Sequence, residues 1–344
     1  MTPVVLLTGF LGSGKTTLLS RLLAQPGHAR TAVVINEFGE TGLDHELIAV
    51  GEDGIVALTN GCLCCRVQTD LARTLLDLAG KRAAGEIAYD RLIIETSGLA
   101  DPVPIVQALA TDLAIACHYR IDRTVTVVDA VCAAESIARY PEARRQIAMA
   151  DVLVISKLDL AAPQDLAQTE TALDALNRSA PRIDTNDPAR VLDAPIDRHV
   201  GEAGTYRRLA LRDGVDHAHG AGAGTNAGTA TDTSGYVAVE IQRTAPVAAS
   251  AVALFLEGVA LHEGGRLLRL KGIVHIAEMP DRPMVIHGVQ NVFFAPAWLQ
   301  SWPTQTRCTR IVMIGHGLSP DWASALLNAV EAEVREVAST SFTH

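Results

Sequence analysis

The chain carries two groups of residues whose types and spacing do chemistry. The first is Gly9-Phe10-Leu11-Gly12-Ser13-Gly14-Lys15-Thr16, a complete phosphate-binding loop pattern between an apolar run and an amphipathic one. Glycines let a backbone wrap its N–H groups around phosphates, and the N-terminus of the helix that follows adds a positive dipole. Lys15 is expected to reach the β- and γ-phosphates of a nucleotide, and Thr16 to offer its hydroxyl to Mg²⁺. A chance glycine turn before a helix is the bland alternative, disfavoured by motif and context together. Such a loop also needs an acid at the end of a neighbouring strand. Leu92-Ile93-Ile94-Glu95 supplies it and continues as Thr96-Ser97-Gly98. Glu95 is then expected in the Mg²⁺ shell, with an ordinary strand-end carboxylate as the alternative, and Gly98 is expected to offer its N–H to the γ-phosphate. Loops of this kind order around the γ-phosphate and release after its loss. Leu99 stands where many GTPases place a water-positioning glutamine, which predicts slow intrinsic turnover.

The second group is Asn60-Gly61-Cys62-Leu63-Cys64-Cys65. Three thiols within four residues are poor core material, and soft thiolates bind Zn²⁺, Co²⁺ or Cu⁺ well. A tetrahedral metal would take two or three of Cys62, Cys64 and Cys65 and recruit an oxygen or nitrogen from elsewhere. Glu37, in Asn36-Glu37-Phe38-Gly39-Glu40, is a candidate oxygen ligand. Glu40 and Asp44 are candidates for Mg²⁺ or the attacking water, and equally for a solvated loop. Cys62-x-x-Cys65 keeps a redox thiol pair open as an alternative. His217 and His219 form a His-x-His pair, read as weak metal capture or as plain linker. The three isolated cysteines, Cys117, Cys132 and Cys308, read as buried small hydrophobes.

Base choice rests on Ser156-Lys157-Leu158-Asp159 after an apolar run. An aspartate at this position accepts from the N1 and N2 donors of guanine, a pair adenine lacks, while the lysine stem lies along the base. Thr17, just inside the helix after the phosphate loop, completes the candidate nucleotide-binding set.

These residues need a scaffold that brings strand ends together. Short Val/Ile-rich runs at Val4–Leu7, Thr31–Ile35, Ile55–Leu58, Arg91–Ile94, Arg123–Val128 and Val152–Ile155 alternate with helical patterns at Lys15–Ala24, Thr69–Ala79, Val103–Leu113, Ala143–Ala150 and Gln164–Asn177. The alternation predicts an α/β fold: a doubly wound, mainly parallel sheet with its ligand at the strands' carboxyl ends. Residues 213–235 are Gly-, Ala-, Thr- and His-rich without hydrophobic period, and read as a mobile linker. Beyond it, a strand at Tyr236–Gln242, a helix opening at Pro246, runs at Arg266–Ile276, Met284–Val289 and Arg310–Ile314, and a last helix from Asp321 to about Val337 predict a smaller α+β domain with an antiparallel sheet. The expected domains are therefore 1–212, the linker 213–235, and 236–344.

Composition agrees. Apolar residues make up 48% of 344 and aromatics only 4%, so Leu, Val, Ile and Ala must build the core. A net charge of −10 argues against nucleic-acid binding through counterion release. No run reaches membrane-spanning length and no leader pattern is visible, so a cytoplasmic protein is expected.

Taken together and in order, Gly9–Thr17, Asn36–Glu40, Gly61–Cys65, Glu95–Gly98 and Ser156–Asp159 resemble the CobW-like metallochaperone GTPases, and Arg269-Leu-Lys-Gly272 resembles a strand motif of their carboxyl-terminal domain. The resemblance implies a GTPase that binds Zn²⁺ or Co²⁺ at Cys62-x-Cys64-Cys65 and delivers it to a client metalloprotein or a cobalamin pathway. Many members carry a long His-rich loop, whereas this chain has only His217 and His219 in its linker. Rival readings are a P-loop phosphotransferase, a nucleotide- and metal-responsive regulator without significant turnover, and a thiol redox protein.

Overall fold

The computed structural model describes residues 1–25, 30–36, 57–59, 67–193, 230–231, 235–303 and 306–341. Glu37, Glu40, Asp44, Cys62, Cys64, Cys65, His217 and His219 lie outside the described residues. The chain divides into two compact units, Met1–Leu173 with Ala180–Ile196, and Asp174–Ser179 with Asp197–His344.

The first unit is built on seven strands: β1 (Thr2–Gly9), β2 (Thr31–Asn36), β3 (Ala57–Thr59), β4 (Arg91–Thr96), β5 (Tyr119–Asp129), β6 (Val152–Ser156) and β7 (Arg182–Asp184). They form one sheet in the order β3-β2-β4-β1-β5-β6-β7, with every pairing parallel. The chain crosses from one side of β1 to the other between β4 and β5, so β1 ends at the sheet's switch point, where such folds bind ligands. The helices between them are α1 (Lys15–Leu23), α2 (Val67–Ala83), α3 (Val103–Thr111), α4 (Leu113–Ala116), α5 (Ala133–Arg139), α6 (Pro141–Ala148), α7 (Pro163–Asn177) and α8 (Ala189–Asp193). Val4, Val5, Leu6 and Leu7 are all essentially inaccessible, because a parallel sheet is covered on both faces. Leu18, Leu19 and Leu22 of α1 bury one helix stripe against Val5, Leu7, Val33, Ile93 and Val125.

The second unit pairs β8 (Ala230–Thr231), β9 (Tyr236–Arg243), β10 (Leu267–Val274), β11 (Met284–Val289), β12 (Val292–Phe293), β13 (Ala297–Trp298) and β14 (Thr309–His316) into an antiparallel sheet, β12-β11-β10-β14-β9-β8 with β13 on β11. Helices α9 (Ala249–Glu263) and α10 (Pro320–Ser341) bring Val252, Phe255, Val259 and Leu327 onto its apolar face, formed by Val239, Ile241, Leu270, Ile286 and Met313.

The fold class expected from the sequence is therefore observed, with local differences. The helix expected over Val103–Leu113 ends at Thr111 and restarts at Leu113. Asp112 is extended, and its carboxylate accepts from the N–H groups of Ala114 and Ile115 at 2.9 and 3.4 Å, a side-chain N-cap that ends one helix and starts another. The helix expected from Pro246 begins at Ala249. Val247 is instead bridged to Ile276, its N–H donating to the carbonyl of His275 at 2.8 Å. Within the segment read as linker, Ala230 and Thr231 pair with Ala238 and Val237, so those two residues are sheet. Strands β7, β12 and β13 and helices α5 and α8 have no counterpart in the expectations. Of the isolated cysteines only Cys308 is buried. Cys117 and Cys132 are exposed, each at a helix terminus rather than on an inward face. Among the described residues, no helix is long and apolar enough to cross a membrane.

Candidate nucleotide-binding site

The site forms where β1, β4, β5 and β6 end side by side. Leu7 registers with Glu95 on one flank and with Val125 on the other, and Asp129 registers with Ser156. The hydroxyl of Thr96 donates to that of Thr8 at 2.9 Å and ties the ends of β1 and β4 together.

Two glycines show why the phosphate loop has its sequence. Gly9 has φ of 145°, and a Cβ there would lie 2.4 Å from the carbonyl oxygen of Val127. Gly14, at φ 95°, is the left-handed residue from which α1 starts. No side chain caps α1 and no acid lies in its first turn, so its N–H groups and dipole face the loop uncompensated by carboxylate. Lys15 is almost wholly buried and its Nζ donates to the carbonyls of Gly9 at 2.9 Å and Phe10 at 3.2 Å. The ammonium is thus held across the loop, at the place where phosphates would need a counter-charge.

The two residues assigned to Mg²⁺ meet. Thr16 Oγ1 donates to Glu95 Oε1 at 2.7 Å, across 79 residues of chain. Glu95 is fully buried at the end of β4. A hydroxyl and a carboxylate in contact make an oxygen-only donor set, which suits a small hard divalent cation. Three residues on, Gly98 packs against the phosphate loop itself. A Cβ at Gly98 would lie 2.7 Å from Leu11 Cδ2 and 2.8 Å from both Leu11 Cα and N. Glycine at this position is therefore a requirement of close approach, and the acid-x-x-Gly loop touches the loop it is expected to serve.

Of the residues expected to recognise the base, Ser156 touches the phosphate loop. Ser156 Oγ donates to the carbonyl of Ser13 at 2.7 Å and lies 3.2 Å from that of Val128. Lys157 sits at φ 56°, a left-handed conformation uncommon for lysine, and its Nζ pairs with Asp129 Oδ2 at 2.6 Å. Asp159 follows in an exposed turn closed by the Leu160 N–H on the Lys157 carbonyl at 3.1 Å. Leu99 is half exposed.

Two residues of this site were not anticipated. Asp129 ends β5 as Glu95 ends β4, and its Oδ1 also accepts from Val131 N–H at 2.9 Å. An acid closing an apolar run was the available signal. Gln146, on α6, is wholly inaccessible, and its Nε2 donates to the carbonyls of Gly98 and Ala100, both at 3.0 Å. Its signal was a polar residue on the same helical stripe as Ala143 and Ile147.

This geometry agrees with what the chain is similar to. Residues 3–184 match the CobW/HypB/UreG nucleotide-binding domain, and residues 236–331 match the cobalamin synthesis protein cobW C-terminal domain. The chain belongs to the CobW/HypB/UreG family. It is 33% identical to the zinc chaperone YjiA of Escherichia coli over 319 residues, 91% of this chain and 93% of that one. It is 29% identical to a zinc chaperone CobW of Sinorhizobium over 91% of this chain and 92% of that one. The crystal structure of Zn(II)-bound YjiA GTPase from E. coli superposes with a TM-score of 0.64 at 26% identity, covering 96% of this chain and 98% of that chain. A Zn(II)-bound triple mutant of YjiA gives 0.67 at 27% identity, covering 96% and 99%.

Proposed function

We propose that this member of the family is a GTPase that carries a transition metal, with metal release coupled to hydrolysis. The observation that carries the hydrolase half is the Thr16–Glu95 contact beside a Gly98 pressed onto the phosphate loop. That arrangement supports a γ-phosphate beside Gly98 and a cation at Thr16 and Glu95. Gly9, Gly12, Ser13, Gly14, Lys15, Thr16 and Thr17 would cradle the phosphates. Ser156, Lys157 and Asp159 would select guanine. Bound Mg²⁺, held through Thr16 and Glu95, would neutralise charge developing on the phosphates.

The cargo is zinc, with cobalt as the alternative, held by Cys62, Cys64 and Cys65 with Glu37 as an oxygen ligand. The support is partly chemical, from three crowded thiolates, and partly topological. Ile35 registers with Thr59 of β3 and Asn36 with Thr96 of β4, so the chain departs toward Glu37 and toward Cys62 from one sheet edge. That edge also carries Glu95 and leads into Gly98. Relatives of nearly the same length are zinc chaperones. The proposed organisation is a GTPase domain at 1–212, a connecting segment at 213–235 and a carboxyl-terminal domain at 236–344 that offers the client surface.

The test is zinc affinity, by competition with a chromophoric chelator, in Mg-GTP analogue, in Mg-GDP and without nucleotide. Tighter zinc with the GTP analogue, lost in Cys64→Ala and Cys65→Ala, is expected. By linkage, zinc must then tighten the GTP analogue by the same factor. A Zn(II)-bound YjiA triple mutant exists, so zinc on such a protein need not report one particular site. The decisive result is therefore the nucleotide dependence, and equal affinity in all three states refutes the coupling.

A further inference from the structure

Helix α6 is not part of the phosphate loop, of the acid-x-x-Gly loop or of the guanine motif, yet it touches the first two. Tyr140, its N-cap residue, packs its ring 4.7 Å from that of Phe10. Arg145 Nη1 pairs with Asp101 Oδ2 at 3.0 Å, while Asp101 Oδ1 accepts from Val103 N–H at the start of α3. Gln146 follows Arg145 and meets the same segment. The two Nε2–H groups of a primary amide match the two carbonyls it meets, those of Gly98 and Ala100, which bracket Leu99. Its main-chain carbonyl accepts from Thr126 Oγ1 at 2.7 Å, so the residue is anchored to β5 while its side chain grips the loop. Gln146 Oε1 and Ser13 Oγ are buried without a hydrogen-bond partner among the described residues, and both residues line one cavity of about 30 Å³. That is room for a single water.

We infer that Gln146, with Arg145 as a second tether, is the positioning residue that orients the Gly98–Asp101 segment toward the γ-phosphate. This rests on the GTPase reading above. The physical ground is pre-organisation. A glycine N–H that must meet a phosphate oxygen has no side chain to locate it, so the peptides around it have to be fixed: Gln146 holds the one that follows, through the Gly98 carbonyl, while the Ser97 carbonyl of the N–H-bearing peptide accepts from Ala100 N–H at 3.2 Å. A fully buried amide spending both its donors on that loop lowers the reorganisation left to be done when nucleotide binds. A diphosphate does not extend to Gly98, so the residue acts on triphosphate and leaves diphosphate alone.

Gln146→Met keeps the length of the side chain and removes both donors; Gln146→Ala removes the side chain. Affinities for GDP and for a non-hydrolysable GTP analogue are measured by fluorescent-nucleotide competition, and phosphate release in single turnover. The expected result is GDP affinity within about twofold of wild type, with analogue affinity and turnover each falling by about ten- to a hundredfold, the order of loss when a group around the reacting atoms is misplaced by up to about an ångström. If both variants fail to fold, Arg145→Ala, cutting the partly exposed tether, must show the same selective loss in smaller degree. Parallel losses of GDP and GTP analogue, or no loss of either, overturn the positioning role. A wild-type protein that neither binds nor hydrolyses GTP instead overturns the functional reading, and the two failures are thereby distinguished.

Discussion

Replacing Gly98 by alanine tests the central contact of the site. The added Cβ would lie 2.8 Å from Leu11 Cα and from Leu11 N, whereas ordinary contact begins at 3.4 Å. The obstructing atoms are backbone, so they do not swing aside as a side chain would. Either the Gly98 loop or the phosphate loop must retreat by at least about 0.6 Å. Displacements approaching an ångström cost about a hundredfold in rate when they misplace groups around reacting atoms. Turnover of Mg-GTP is therefore expected to fall by about two orders of magnitude. Overpacking of this kind costs about 1–3 kcal/mol in stability, which a folded unit of this size should survive. The assay is phosphate release under single-turnover conditions, with GDP affinity as the control, because the diphosphate needs Lys15 and Gly14 but not Gly98. Turnover within about twofold of wild type would refute the claim that Gly98 lies against the γ-phosphate. Loss of GDP affinity alongside turnover would show instead that the phosphate loop itself had collapsed.

Other substitutions probe different parts of the site. Asp159→Asn should exchange guanine for xanthine preference, since an amide can accept from N1–H and donate to the C2 carbonyl; nucleotide competition with GTP and XTP reads the reversal. Ser156→Ala strands the carbonyl of Ser13, and about 1–3 kcal/mol of folding stability should be lost, read by denaturant melts. Leu99→Gln should raise intrinsic GTP turnover roughly severalfold by supplying a side chain that can orient water, measured in steady state. Away from the site, Tyr119 donates to the Leu75 carbonyl at 3.0 Å and meets Tyr89 OH at 2.6 Å. Burial first, and the Tyr89 hydroxyl second, push the Tyr119 phenol well above its usual range. The folded state thus keeps a proton that the unfolded chain releases near pH 10, so stability is full below about pH 10 and declines above it. Denaturant melts of Tyr119→Phe should show a shallower decline between about pH 10 and 11 than wild type.

The parts of this protein that could be read from sequence are those where backbone demands select residue type. A phosphate loop needs glycine at Gly9 and Gly14, and both positions have the positive φ or the crowding that excludes other residues. A buried parallel strand needs an unbroken apolar run, and Val4–Leu7 and Val152–Ile155 have it. What could not be read was decided by contacts distant in sequence. The Gln146 side chain reaches Gly98, 48 residues away, and nothing local in Pro141–Ala148 announces that partner. The stem of Lys157 is expected along a base, but the partner of its ammonium, Asp129 at the end of the neighbouring strand, is set by the β5–β6 register and could not be read locally. Strand β7 is three residues long with only Ile183 buried, too short to carry a period. Pro246 has the chemistry of a helix start, but the Val247–Ile276 bridge overrode it.

One sheet edge must serve two ligands in the proposed function, and the strand order is compatible with that. β4 stands between β1 and β2, so Glu95 has the phosphate-loop strand on one side and the strand leading to Glu37 on the other. Movement of the Gly98 loop on loss of a γ-phosphate would begin two residues past Thr96, and Thr96 is registered with Asn36 and bonded to Thr8. A rigid strand does not transmit such movement along itself. It can fix the two ends from which neighbouring loops depart, so that the loops compete for or share the same space. The proposed coupling of GTP to metal therefore needs no conformational change in the sheet. It needs only that the segment after Asn36 and the segment after Thr96 have mutually dependent positions. Substitutions that alter Gly98 should then change zinc affinity in the GTP-analogue state and leave the GDP-state affinity untouched, whereas substitutions of the cysteines should lower both.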